Sequence, residues 1–170
     1  MDNNTFYILG QILGGAAVVV GFLAFQQKTQ LKIIIFQFVT AITFTLHYLL
    51  IGAPTAVALN ALCALNSVCF GFRNKRNSKG KTETIICSLA IVAASIYAWE
   101  SIYSVFIRIG LLIKTISLSF YDPQKTRMAV LVKFPLCLIY NGAVLSIGGI
   151  VFECAVLTSA IIGFIKNRKQ

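Results

Sequence analysis

Four ionisable side chains, Arg108, Lys114, Lys133 and Glu153, stand inside runs of apolar residues rather than between them. A charge at the middle of a membrane-spanning helix costs about 2.5–3.5 kcal/mol on insertion scales, so such residues pair with one another or mark a path for a solute or ion. Counting about 1.5 Å per residue from the ends of their runs puts Arg108 and Glu153 at a common depth of about 9 Å. This predicts a buried Arg108–Glu153 ion pair, which either serves a site or only pins two helices together. Lys133 comes about 9 Å from the opposite boundary, within reach of that surface along its own apolar stem. Lys114 lies nearer mid-run. If it and Lys133 both point inward they attract an anionic solute; otherwise Lys114 caps a carbonyl or holds a water.

No other set of residues assembles a reaction centre. The chain has one histidine, His47, and five acids, of which Asp2, Glu83, Glu100 and Asp122 fall at ends or boundaries. Neither a Ser/His/Asp grouping nor a metal-ligand spacing is present, so no enzyme activity, metal or cofactor is expected. Cys63, Cys69, Cys87, Cys137 and Cys154 all sit in apolar stretches without a CxxC pair and read as small packing residues.

The elements that must hold these residues follow from composition. With 58% hydrophobic and 12% charged residues over 170 positions, and a mean hydropathy of +0.83, the chain treats the bilayer as its solvent. Apolar runs of roughly 20 residues suffice to span, and the sequence predicts seven, near 6–25, 31–51, 54–72, 84–101, 103–121, 127–146 and 147–165. Gly52-Ala53-Pro54 and Ser146-Ile147-Gly148-Gly149 provide tight reversals between antiparallel helices. A net charge of +10 excludes nucleic acid as the natural partner here, because the cations sit in short loops rather than on one folded surface. Lys28, Lys32, Arg73, Lys75, Arg76, Lys79, Lys81, Lys125, Arg127, Lys166, Arg168 and Lys169 all fall on one side of a seven-span chain. By the positive-inside rule that side is the cytoplasm, which sets the N-terminus outside and the C-terminus inside. The acidic, polar start lacks a signal peptide's basic region, so the first run is expected to stay as a helix.

An internal repeat organises the runs. Gln27-Lys28-Thr29 recurs as Gln124-Lys125-Thr126, Tyr48 as Tyr140, and Gly71-Phe72 with its basic tail as Gly163-Phe164 with its own. Residues 1–76 and 103–170 then form two three-helix copies in parallel orientation, joined by 77–102 with an unpaired fourth helix. Matching the copies sets Gln11 against Arg108, Gln37 beside Lys133 and Asn60 beside Glu153, as a shared polar lining. Gly10-x-x-x-Gly14 offers a smooth face for close helix contact. Pro135 inside the sixth span, and Pro123 before it, are hinge candidates.

With the Pro123-Gln124 pair, the Gln-Lys-Thr turns and the 3+1+3 plan, the chain resembles the PQ-loop and SWEET-type transporter superfamily. Through Phe25-Gln26-Gln27-Lys28-Thr29, Leu46 to Gly52, and Tyr140 through Ser146-Ile147 to Glu153, it more closely resembles the YgjV family of bacterial inner membrane proteins. The resemblance implies an all-α protein of seven transmembrane helices in a SWEET-like arrangement, in the bacterial inner membrane. It further implies a small solute bound near the midplane, lined by Tyr48, Tyr140, Asn60 and Asn66. Membrane lipids are the other expected partners. A single chain could enclose such a path, and a homodimer is compatible with it. The competing reading is a non-transporting membrane protein that binds partners or lipids through the basic loop Arg73–Lys81.

Overall fold

The computed structural model describes residues 3–52, 54–76, 81–97, 102–143 and 147–167. Lys79, Arg168 and Lys169, used above to orient the chain, lie outside them, as do the acids Asp2 and Glu100 and Ala53 and Ser146 of the two hairpins. The described residues form seven helices and no strand: α1 (Asn3–Gln26), α2 (Gln30–Leu50), α3 (Pro54–Lys75), α4 (Thr82–Tyr97), α5 (Ser104–Leu118), α6 (Pro123–Ala143) and α7 (Ile147–Lys166).

Local chemistry fixes the helix ends. Thr29 caps α2, its hydroxyl accepting from the Lys32 amide. Gly52 adopts φ 75°, the left-handed geometry that ends a helix and that a Cβ resists. Asp122 accepts from the Gln124 amide at 2.8 Å, and Pro123 opens α6, where its missing N–H costs nothing. Pro123 is thus a helix start, whereas Pro135 lies within an α6 that continues past it.

Among the described residues four helices, α1, α2, α3 and α7, are long and apolar enough to cross a membrane. The sequence-based span 103–121 is shorter than expected: α5 has 15 residues, about 22 Å of rise. Tight i→i−3 turns at Val105, Phe106, Ser119 and Phe120 end it on both sides. The 21 residues of α6 include Lys125, Arg127 and Lys133, which lower its apolar character.

Successive helices pack side by side from α1 to α3 and from α5 to α7, α4 lies against α3 and α5, and α7 returns against α1. Two apolar cores result. Ala24, Phe25, Ile33, Val130, Val156 and Ala160 join α1, α2, α6 and α7; Ile34, Phe70, Cys87 and Leu118 join α2 to α5. Large apolar side chains such as Ile12, Leu49, Leu65, Phe72, Leu89 and Ile165 face outward, the surface expected where lipid rather than water surrounds a chain.

Small residues allow the tightest approaches. A Cβ on Gly10 would meet Ile51 at 2.8 Å and one on Gly14 would meet the His47 ring at 3.1 Å, so the Gly10-x-x-x-Gly14 face receives α2. His47 Nδ1 donates to the Gly10 carbonyl at 2.7 Å, a packing histidine with its partner. At Gly163 a Cβ would fall inside the contact distance of the Phe25 carbonyl oxygen and 2.9 Å from Arg127 Nε. Gly163→Ala should therefore force α7 from α1 and cost about 1–3 kcal/mol, seen as a lowered unfolding midpoint in detergent. Gly142→Ala, where a Cβ meets nothing within 4 Å, should leave the midpoint in place or raise it. Equal effects would refute the close approach of α1 and α7.

Candidate functional site

Glu153 takes its ion partner from α6 rather than α5. Lys133 Nζ reaches Oε1 at 2.8 Å and Oε2 at 2.6 Å, with Lys133 8% and Glu153 6% exposed. The expected Arg108–Glu153 pair is thus corrected, and so is the expectation that Lys133 extends to the surface. Depth along a helix axis says nothing about direction around it, and direction is decided here by the helix period. Lys133 shares its face with buried Val130 and Cys137, and Glu153 shares its own with buried Val156 and Ala160. Arg108 is half-buried and engaged in contacts of its own.

Beside this pair lies a cavity of about 30 Å³. Gln37 of α2, Lys114 and Ser117 of α5, and Thr126 and Lys133 of α6 supply its polar lining; Phe25, Phe152, Val130 and Val156 supply apolar walls. The sequence-derived candidates Gln37, Lys114 and Lys133 thus come together around one space. Among the described residues Lys114 forms no ion pair and its ammonium no hydrogen bond. At one end Thr126 closes the space, accepting from Gln30 Nε2 at 2.9 Å and donating to the Ser117 carbonyl at 3.0 Å.

That same end carries a polar network that sequence reasoning missed. Arg127, 1% exposed, donates from Nε to the Phe25 carbonyl at 3.0 Å, from Nη2 to the Gln27 carbonyl at 2.5 Å, and from Nη1 to Gln124 Oε1 at 3.0 Å. Gln124 Nε2 in turn donates to the Asn167 carbonyl at 2.7 Å. Gln26 Nε2 donates to the Ser159 carbonyl and hydroxyl, both at 2.9 Å, and the Ser159 hydroxyl donates to the Phe22 carbonyl. The bonds to the Phe25, Gln27 and Asn167 carbonyls satisfy acceptors that the C-terminal ends of α1 and α7 leave free. In the sequence Arg127 reads only as a loop cation; Pro123 signals that it lies one turn inside a helix, but not that it faces inward. On the other flank Arg73 donates to Thr84 Oγ1 at 2.7 Å and Arg76 pairs with Glu83 at 3.2 Å.

The remaining candidates lie away from the cavity. Gln11 is exposed on α1, so its match to Arg108 does not produce an interior lining. Tyr48 is half-buried and stacks on Phe44, whose ring meets Phe152 edge-on. Asn60 turns back to the Ala56 carbonyl at 2.9 Å. Asn66 is buried at 4% exposure with its Nδ2 lacking a partner. Tyr140 is half-buried near the C-terminal end of α6. No grouping of three metal-ligating side chains occurs among the described residues.

Compared with known protein families, residues 8–170 match the Imp-YgjV family, described as bacterial inner membrane protein. The chain belongs to this family. Neither a curated protein nor a solved structure matches it. Membership in an inner membrane family makes lipid the medium around the exposed apolar side chains of α1, α2, α3 and α7. It also raises the cost of an unpaired charge at Lys133 or Glu153, which lie ten residues or fewer from the nearer end of their helices yet are almost wholly enclosed.

Proposed function

We propose that this Imp-YgjV member is a small-solute transporter of the PQ-loop/SWEET-like kind, with seven spans in a 3+1+3 plan, the N-terminus outside and the C-terminus in the cytoplasm. The observation that carries the reading is the cavity, apolar in most of its wall, that holds Lys114 and Lys133 between α1–α2 on one side and α5–α7 on the other. The Gln-Lys-Thr repeat supports it, since its first copy leads into α2 and its second forms the first turn of α6, and the two starts meet through Gln30 and Thr126. Drug-sized ligands occupy pockets of about 300–1,000 Å³, so the present cavity is the closed form, and one three-helix group must rock against the other to admit a solute larger than water. The Arg127 network would hold the cytoplasmic side shut in this form.

Reconstituted into proteoliposomes, the protein should take up at least one class among sugars, amino acids, organic acids and inorganic anions. Lys114→Gln should reduce that uptake about tenfold or more, as loss of a charged contact predicts. Absence of uptake across the panel would end the transport reading. The alternative, a membrane protein that binds lipids or partners without transport, draws support from a groove of about 230 Å³ between α2 and α3 that ends at Lys75. Phospholipid retained at that groove through detergent washing, with no uptake, would favour it.

A further inference from the structure

We infer that the cavity between α2, α5 and α6 is a binding site for a small monovalent anion such as a halide, nitrate or short carboxylate. The inference rests on the transport reading only for its purpose and on the cavity for its chemistry. Charge decides the sign of the ligand. Glu153 engages the Lys133 ammonium with both oxygens, so that pair is neutral as a unit. Lys114 lines the same space with no carboxylate to balance it. The other acids among the described residues, Glu83 and Asp122, stand at the starts of α4 and α6 and are committed to Arg76 and to the Gln124 amide. One positive charge therefore remains over, on the half-buried Lys114 at the edge of the cavity, where charge–charge interaction is stronger than in bulk water.

Hydrogen-bonding capacity points the same way. The Ser117 and Thr126 hydroxyls spend their protons on the Lys114 and Ser117 carbonyls, at 2.7 and 3.0 Å. Lys133 spends two N–H groups on Glu153 and turns the third to Cys137 Sγ at 3.9 Å, a weak acceptor that an anion could replace. The Gln37 amide, 5% exposed, makes no hydrogen bond among the described residues and borders the cavity. What is left unspent is thus the Lys114 ammonium and the Gln37 amide, whose N–H₂ donates to an anion while its oxygen can turn away. A cation would meet a net repulsion there, and a neutral polyol would leave the Lys114 charge unanswered. Size completes the argument. About 30 Å³ accommodates roughly two waters, the scale of a monatomic or triatomic anion, and not of a sugar.

The test is thermal unfolding of the purified protein in detergent, titrated with chloride, bromide, nitrate or formate while gluconate holds ionic strength constant. Saturable stabilisation by the small anions is expected. Lys114→Gln should raise the half-saturating concentration about tenfold, Lys114→Arg should retain binding, and the exposed Lys28→Gln should change nothing. A bromide-soaked crystal should show anomalous density beside Lys114, a readout that holds even if Lys114→Gln fails to fold. Equal stabilisation by gluconate, or bromide density absent from the cavity, would overturn the inference. Lys114-dependent binding without flux of any solute would retain the site and defeat transport, whereas flux of a neutral solute without such binding would do the reverse.

Discussion

Lys133→Met and Glu153→Leu are each expected to destabilise the protein by about 3–5 kcal/mol, and the double variant is expected to regain most of that loss. The pair is enclosed at both ends, with 8% and 6% of its residues exposed and the ammonium 2.6 Å from one carboxylate oxygen. Removing one partner leaves a charge in an apolar enclosure, and that residual charge, more than the lost attraction, sets the size of the effect. Lys133 alone would retain Cys137 Sγ at 3.9 Å, a weak acceptor; Glu153 has no second cation among its described contacts. Replacing both by apolar groups of similar volume removes the charge altogether, which in other proteins is neutral or stabilising. Unfolding in detergent of the wild type, both single variants and the double variant gives the coupling energy directly. Additive losses would mean that the two residues act independently, and would refute the pair as the centre of the α6–α7 contact.

The cycle also separates stability from function. If the pair only pins helices, the double variant should keep whatever uptake the wild type shows. Should it serve the cavity, by setting the charge that Lys114 carries over, the double variant would be stable and altered in uptake.

The same pair illustrates what the sequence could convey. The presence of seven helices was legible from the apolar runs, and six of the seven starts fall within three residues of expectation, helped by local signals such as Thr29 and Gly52. The start of α6, where Pro123 opens the helix, confirms how strongly one residue sets a boundary. Pairing was less legible. Arg108 and Glu153 share a depth, but a residue's direction is fixed by which neighbours are buried, and a one-position change turns a helix face by about 100°. Gln37 and Lys114 were found from polarity within apolar runs, since such residues are costly and conspicuous. Arg127 was hidden by its context, because a cation beside a loop is ordinarily a solvated one. Its burial depends on α1 ending opposite it, a tertiary fact with no local signature. Gln11 is the opposite case: a polar residue in an apolar run predicts an inward-facing side chain, and it is exposed.

Arg127→Ala should cost about 3 kcal/mol or more, among the largest effects of any substitution at this end of the protein. Three donors would vanish at once, and hydrogen bonds from a charged group are each worth about 1.5–3 kcal/mol. The Phe25 and Gln27 carbonyls would then lack the donors that join α1 to α6, and Gln124 would lose the contact that connects this network to Asn167 at the end of α7. Arg127→Lys should recover less than half of the loss. A lysine has one nitrogen where the guanidinium presents three in a fixed plane, and the Nε, Nη1 and Nη2 bonds point to three separate acceptors. Since Gly163 already lets α7 come within contact of Phe25, the shorter side chain would leave a void that the backbones are too close to fill by collapse. Lys28→Ala, an exposed cation on the same side, should stay within about 0.5 kcal/mol of wild type. Full rescue by lysine would show that Arg127 acts through charge alone, and the three-acceptor geometry would then not be what holds α1 and α6 together.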